Sequence, residues 1–366
     1  MSTDASSRPA AVSVRTRPLA DRIPVLSHLR RSVGLQRAML VIGVVIVAVF
    51  VLVAAFAPLI APYSWAQQSA NGVDFATQQL PSAAHIWGTT VSGFDVFSRV
   101  IWGAQTALFA ILAAIVFSLF IGVALGLLSG YFGGWLDRVL VVICDAIYAF
   151  PSLLLAIVMS IVISRGQSTL VGGILAAAIS ITVVFVPQYF RVVRAEVVRV
   201  KAEPFVESAR VIGVPLGRIL VRHVLRNSTR TLPVVVTLNA SEALLTLAGL
   251  GFLGFGIEAT KAAEWGYDLN RSVADVTSGI WWTSIFPGLA IVLVVLGITL
   301  VGESLNDLAD PRLRARRRDA RARRAPSARR ARTAPPARAR PRCAPGRRGR
   351  GCRVPARWRP GRGDAG

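Results

Sequence analysis

The sequence predicts an all-α protein threaded several times through a lipid bilayer. Three observations carry that prediction. Hydrophobic residues make up 53% of the 366-residue chain and charged residues only 17%, a balance too apolar for a soluble fold of this size. Six stretches are apolar over or close to the length a membrane demands, since ~30 Å of hydrocarbon takes ~20 residues of helix. The connecting loops alternate between basic and non-basic, which is how the positive-inside rule sorts the loops of a multi-pass chain.

The elements follow in order. A leader, residues 1–37, carries Arg30, Arg31 and Arg37 just before the first span at 38–60. Ala55-Phe56-Ala57 resembles a signal-peptidase site, but a 37-residue leader and an apolar run of more than 20 residues speak for a retained helix. An external loop, 61–105, contains one Arg. A core at 106–302 holds the other five spans, at 106–129, 139–163, 170–186, 232–255 and 280–301. The fourth of the six is short and weakly apolar. Between it and the fifth, the segment 191–230 carries nine Lys or Arg. The loop 257–279 sets Lys261 and Arg271 against four acids, and Arg312 and Arg314 follow the last span. Both termini and the 191–230 segment are therefore expected in the cytoplasm of a multi-pass plasma or inner membrane protein.

The net charge of +23 is uneven. Residues 315–366 contain 19 Arg and 2 Asp, which is +17 and leaves +6 for residues 1–314. That last stretch is almost wholly Arg, Ala, Pro and Gly, an alphabet that buries too little apolar surface to fold. It reads either as a basic arm for anionic lipid or nucleic acid, or as an accidental, out-of-frame extension of GC-rich coding sequence. The accidental origin is favoured, so no nucleic-acid partner is expected.

Resident chemistry is sparse. Cys144, Cys343 and Cys352 are too few for a disulfide framework. His28, His85 and His223 are scattered, and no metal site follows from them. A phosphate-cradling P-loop needs Lys followed by Ser or Thr. The only lysines, Lys201 and Lys261, precede Ala. No cofactor and no enzymatic activity are expected, and any ATP hydrolysis that drives this chain belongs to another polypeptide.

The most informative stretch is EPFVESARVIGVPLGRILVRHVLRN, residues 203–227, polar and Arg-rich between apolar spans. Val206, Ala209, Arg210 and Gly213 recur at helical spacing, and Gly213 followed by Pro215 is a stop signal. A short helix, a sharp turn and a second helix over roughly 216–225 would form a compact knob able to receive a soluble partner. A solvated loop without a partner, or a helix-turn-helix reader of DNA, are the alternatives. The latter lacks a surrounding domain.

Glu207-Ser208-Ala209 with Gly213 resembles the EAA loop of bacterial ABC importer permeases, and the resemblance extends over residues 30–314. HIWGTTVSGFDVFSRVIWGA (85–104) is similar to the GTDxxGRDVxSRxxxGA segment of the second, C-type, permease subunit of the dipeptide/oligopeptide/nickel importers. GLLSGYFGGWLDRVL (126–140), the Asp145–Leu155 stretch, ALLTLAGLGFLGFG with the later Glu264-Trp265-Gly266, the FPGLA at 286, and GESLNDLADPRLR (302–314) are similar to its remaining motifs in the same order. Thr90 stands where Asp is usual, Phe94 where Arg is usual, and Arg226 where the common LPN ending has Pro. The last change is expected to soften the turn into the fifth span.

The resemblance implies a MetI-like permease fold. Glu203, Val206, Glu207, Ser208, Ala209, Arg210, Gly213, Arg218, His223 and Asn227 would form the ATPase-coupling surface. Its implied partners are a homologous permease forming a heterodimer, two ABC ATPase subunits, an extracellular or periplasmic solute-binding protein, and the bilayer. The implied cargo is dipeptide or oligopeptide, with nickel or another solute of the same family as the alternative. A stand-alone secondary transporter would need a charged relay in its spans, and only Asp145 and Glu242 are available. A membrane enzyme would need a catalytic constellation that is absent. Asp145 and Glu242 either line a translocation path or make buried interhelical hydrogen bonds, the second being favoured. Gly249, Gly251, Gly254 and Gly256 are expected to serve helix packing.

Overall fold

The computed structural model describes residues 35–164, 170–257 and 260–309. His28, Arg30, Arg31, Arg312, Arg314, Cys343, Cys352 and the whole of 315–366 lie outside them. The architecture is that of a polytopic all-α membrane protein. Among the described residues, five helices are long and apolar enough to cross a bilayer, and a bent pair supplies a sixth crossing if taken as one span.

The first span is α1, Leu35–Ala55, continued after a break at Phe56 by the single turn α2, Ala57–Ile60. Most of its Val and Leu side chains remain exposed, as a helix at the lipid boundary requires. A loop follows that contains a two-residue hairpin, β1 (Ser69–Ala70) antiparallel to β2 (Val73–Asp74), with Ser69 opposite Asp74 and Ala70 opposite Val73. Asn71 and Gly72 both have positive φ, 54° and 79°, the primed turn that an Asn-Gly pair favours.

The second span is α3, Val96–Phe132, 37 residues long. At 1.5 Å per residue it reaches ~55 Å, far beyond the expected 106–129. It begins ten residues earlier because Asp95 caps it, accepting from the Ser98 amide at 2.8 Å. It ends at Gly133 and Gly134, both at φ +66°, a reversal that side chains resist. Gly122, Gly126 and Gly130 recur every fourth residue. A Cβ on any of them would lie within 3.1 Å of α6 atoms, including the backbone of Phe190 and Arg194. This seam of small residues lets the two helices approach closely.

The third span is not the single helix expected at 139–163. It is α4, Gly134–Tyr148, and α5, Ser152–Ser164, bent by 96° where Pro151 withholds an amide and forces Phe150 out of helix. The fourth span, expected at 170–186, is α6, Leu170–Lys201, 15 residues longer. Its apolar signal is weak because Ala176, Ala177, Ser180, Ile181, Tyr189 and Val193 face protein rather than lipid. Arg191, Arg194, Arg199 and Lys201 are thus helical, and the loop expected to start at 191 starts at Ala202. The fifth and sixth spans are α10, Leu232–Phe252, and α12, Trp282–Ala309. Gly297 of α12 and Gly43 of α1 meet without side chains between them.

One end of the bundle is closed by the 61–95 loop and α11, Trp265–Thr277, an amphipathic helix within the expected 257–279 loop. Arg99, 2% exposed, grips the Asp268 carboxylate with Nε at 2.8 Å and 2.9 Å from its two oxygens. Its Nη1 donates to the Trp65 carbonyl. The Trp265 indole donates to the Val100 carbonyl and the Trp282 indole to the Thr89 carbonyl. Thr90, where Asp is usual, turns its hydroxyl onto the Phe94 amide at 3.1 Å. Phe94, where Arg is usual, lies under the Arg99 guanidinium at 4.9 Å. Glu264 is buried and caps α11 by accepting from the Gly266 and Tyr267 amides. Burial pushes its carboxyl up to about 8, overriding those two amides. A Cβ on Gly251 would strike that carboxyl, so packing is the role of this glycine. Gly249 would meet only Leu153, Gly254 turns the chain at φ +83°, and Gly256 folds back on Gly251.

Candidate functional site: a basic knob and its root

The segment after α6 forms the expected knob. Pro204 opens α7, Pro204–Val211, where its missing amide does no harm. Val206 and Ala209 turn inward and are buried, at 0% and 6% exposure. Arg210 and Gly213 do not share that face. Arg210 lies outside, and Gly213 lies past the helix end. The Val214 amide reaches back to the Ala209 carbonyl at 3.1 Å while Gly213 takes φ +77°, a left-handed stop. Nothing lies within 4 Å of a Cβ at Gly213, so the demand there is conformational rather than steric.

Pro215 then starts the second helix. It runs as α8, Leu216–Arg218, through a π-helical stretch, Ile219–Leu225, into α9, Arg226–Ser228. Ile219, Val224 and Ser228 form its buried face. Arg226 does not soften a turn, because the chain is still helical there, and the turn falls at Thr229–Thr231. The Asn227 amide bonds the His223 carbonyl at 2.7 Å and accepts from Arg230 at 2.8 Å. The outer surface combines apolar tips, Val211 at 83% and Ile212 at 78% exposure, with Phe205, Leu216 and Val221. Glu207, Ser208, Arg210, Arg218, Arg222 and Arg226 surround them, all exposed.

The knob is rooted in the reversal between α3 and α4. Lys201 donates to the Tyr131 carbonyl, and Arg210 lies over the Tyr131 ring at 5.2 Å. Arg194 of α6 grips Asp137 of α4, its Nη2 at 2.7 Å, and Ser129 of α3 donates to the same carboxylate. Glu203 approaches Arg199 at 3.9 Å. A cavity of about 510 Å³ lies between root and knob, with Lys201, Glu207 and Arg210 on its wall. Any displacement of α7 thus bears on the ends of three helices. The sequence quoted this reversal only as a motif. Its four-residue glycine spacing was the available signal for the α3–α6 contact.

Asp145 and Glu242 are apart from the knob, and neither makes the buried interhelical bond favoured for it. Asp145, 55% exposed, pairs with Arg191 at 2.7 Å, and that guanidinium stacks over Tyr148 at 4.2 Å. Glu242 is exposed and lines a different cavity.

Residues 122–315 match the family model described as binding-protein-dependent transport system inner membrane component. Residues 35–81 match that of the N-terminal TM domain of oligopeptide transport permease C. The dipeptide transport system permease protein DppC of Alkalihalophilus pseudofirmus is 39% identical over 279 residues, 75% of this chain and 86% of the relative. The glutathione transport system permease protein GsiD of Pectobacterium atrosepticum is 35% identical over 263 residues, 70% and 84% of the two chains. That of Escherichia coli is 36% identical over 290 residues, 78% and 88%.

Proposed function

The chain belongs to the family of binding-protein-dependent transport system inner membrane components, and from that premise we propose that it is one half of the pore of a peptide importer. As a member of that family it is a multi-pass inner membrane permease subunit of an ABC importer, and not an enzyme. The finer reading assigns its cargo, its orientation and its partners. The relatives named for dipeptide and glutathione share α-amino peptide chemistry, which supports a short peptide as cargo over nickel.

The observation that carries the reading is the knob. Exposed Val211 and Ile212 ringed by Arg make a poor solvent face and a good docking face. A separate ATPase docks there, on Glu207, Ser208, Arg210 and Arg218, and the stop at Gly213 holds the two short helices in register. Movement passes through Arg210 and Lys201 to Tyr131, then to α3 and α4, which changes the access of the path between the two permease halves. The homologous permease completes the pore, two ATPases supply the energy, and a solute-binding protein delivers cargo from the opposite face. The basic knob and both termini lie in the cytoplasm. Deleting the chain from its host should abolish dipeptide uptake and leave nickel uptake untouched. Intact dipeptide uptake with lost nickel uptake would overturn the cargo assignment.

A further inference from the structure

We propose that Glu242 forms an ammonium-binding site on the wall of the translocation path. The inference rests on the permease reading above. Leu232–Phe252 contains 21 residues, and Glu242 is the eleventh, so its carboxylate stands at mid-depth of the fifth span. A carboxylate there is costly to expose to hydrocarbon, and such groups face protein or water. Among the described residues Glu242 is exposed. Lipid therefore does not cover it in the assembled transporter.

The cavity it lines has about 240 Å³ of space and is made by the 96° bend between α4 and α5. Gln188 of α6, Tyr148 at the end of α4 and Ser152 at the start of α5 supply its other polar groups. Val184 and Leu155 supply apolar wall. Such a set, one anion with a few hydrogen-bonding groups over an apolar floor, suits an alkylammonium head. Among the described residues, Glu242 is the one charged residue on the cavity wall, and Arg191, whose guanidinium stacks on the Tyr148 ring, is already held by Asp145. The site is thus anionic overall on its inner side, and the group it takes is the α-ammonium of a passing peptide. The bend that a straight third span would lack is what creates the recess.

The test uses the complete transporter with Gln188→Cys in a chain carrying Cys144→Ala, Cys343→Ala and Cys352→Ala. Aminoethyl methanethiosulfonate presents an ammonium, and sulfonatoethyl methanethiosulfonate presents an anion of similar size. After normalisation to free-thiol rates, the ammonium reagent should react about ten-fold faster, as expected beside one unpaired charge in a confined site. Adding Glu242→Gln should erase that preference. In a second arm, Glu242→Gln should lower peptide uptake several-fold at unchanged co-purification of the partner subunits, and Glu242→Asp should restore part of it. Equal rates for the two reagents, absence of labelling in the assembled complex, or loss of the partner permease from Glu242→Gln would each overturn the site. The last result would mark an intersubunit pair instead. A Gln188→Cys complex that shows the labelling preference, when the wild-type complex imports no peptide, would overturn the cargo reading and keep the ammonium site.

Discussion

The two ends of the bundle are built on opposite rules. At the Trp265 end, several charged and aromatic groups are buried or packed and are held by named partners. Arg99 is locked to Asp268 and Trp65, Glu264 caps α11, and the Trp87 and Phe286 rings stack at 4.2 Å. At the Gly213 end, Val211, Ile212 and Val221 are exposed and the arginines stand in solvent. Val206, Ala209, Ile219, Val224 and Ser228 form the small buried anchor of the knob. The difference teaches where each end spends its contacts. One end ties most of its buried polar groups to one another and so fixes a shape. The other leaves apolar surface uncovered, as a docking face does.

The same substitution made at both ends should break the comparison most visibly. Arg99→Met strands a buried carboxylate, and removing one partner of a buried pair costs about 3–5 kcal/mol. The thermal midpoint of the purified chain in detergent should fall sharply, or the chain should fail to accumulate. Arg199→Met at the other end removes an exposed pair with Glu196 and should leave the midpoint unchanged. Comparable losses in both variants would dissolve the distinction.

Next in size is Gly213→Val. A β-branched residue at φ +77° is strained by about 1–2 kcal/mol. The knob should lose its register while the spans insert normally. Uptake should fall roughly ten-fold at equal membrane abundance, and normal uptake would detach the knob from coupling.

A pH titration sharpens the contrast from the other end. The Glu264 carboxyl is raised by burial from 4.5 to about 8. The folded chain therefore keeps a proton that the unfolded chain releases. Stability from this group is full below pH 4.5 and is lost as pH rises through 8. The thermal midpoint should decline across that window, and Glu264→Gln should flatten the decline. A midpoint that rises with pH in the wild type would contradict the sign.

Sidedness gives a qualitative test. Asn71→Cys at the hairpin tip should react with an impermeant thiol reagent in intact cells, and Ser208→Cys on the knob should not, in a background without Cys144, Cys343 and Cys352. Labelling of Ser208→Cys from outside would invert the orientation. The smallest effect is expected from a stop codon after Arg314. If 315–366 is an accidental extension, insertion, assembly and uptake should be unchanged, and reduced uptake at normal abundance would assign the basic arm a role.

Much of this was legible in the residues, and the failures have physical causes. Runs such as VIGVVIVAVFVLVAA announce α1 because lipid selects them. The fourth span was under-read because a central helix faces protein, where Ala, Ser and Thr serve and a hydropathy reading fades. Its last turns looked like loop because Arg194 is charged, and only the fold reveals Asp137 beside it. The bend in the third span was signalled by Pro151, but apolar length alone runs straight through a proline. Gly213 and Pro215 marked the knob correctly, since a left-handed stop is a local property. Arg99 and Asp268 are 169 residues apart, and nothing local in either marks a buried pair. Glu242 was located in depth, but which of its sides faces a cavity depends on the α4–α5 bend.

The glycine seam on α3 gives that helix the mechanics of a lever. The rod is held against α6 at Gly122, Gly126 and Gly130, near one tip. From Gly126 to Phe132 is ~9 Å, and from Gly126 to Val96 is ~45 Å, at 1.5 Å per residue. A rigid tilt about that fulcrum would multiply a displacement at Tyr131, ~7.5 Å from it, about six-fold by the time it reached Val96. The lever arm for any push under the knob is thus set by where three side chains are missing, and its far tip is the end that Arg99 locks.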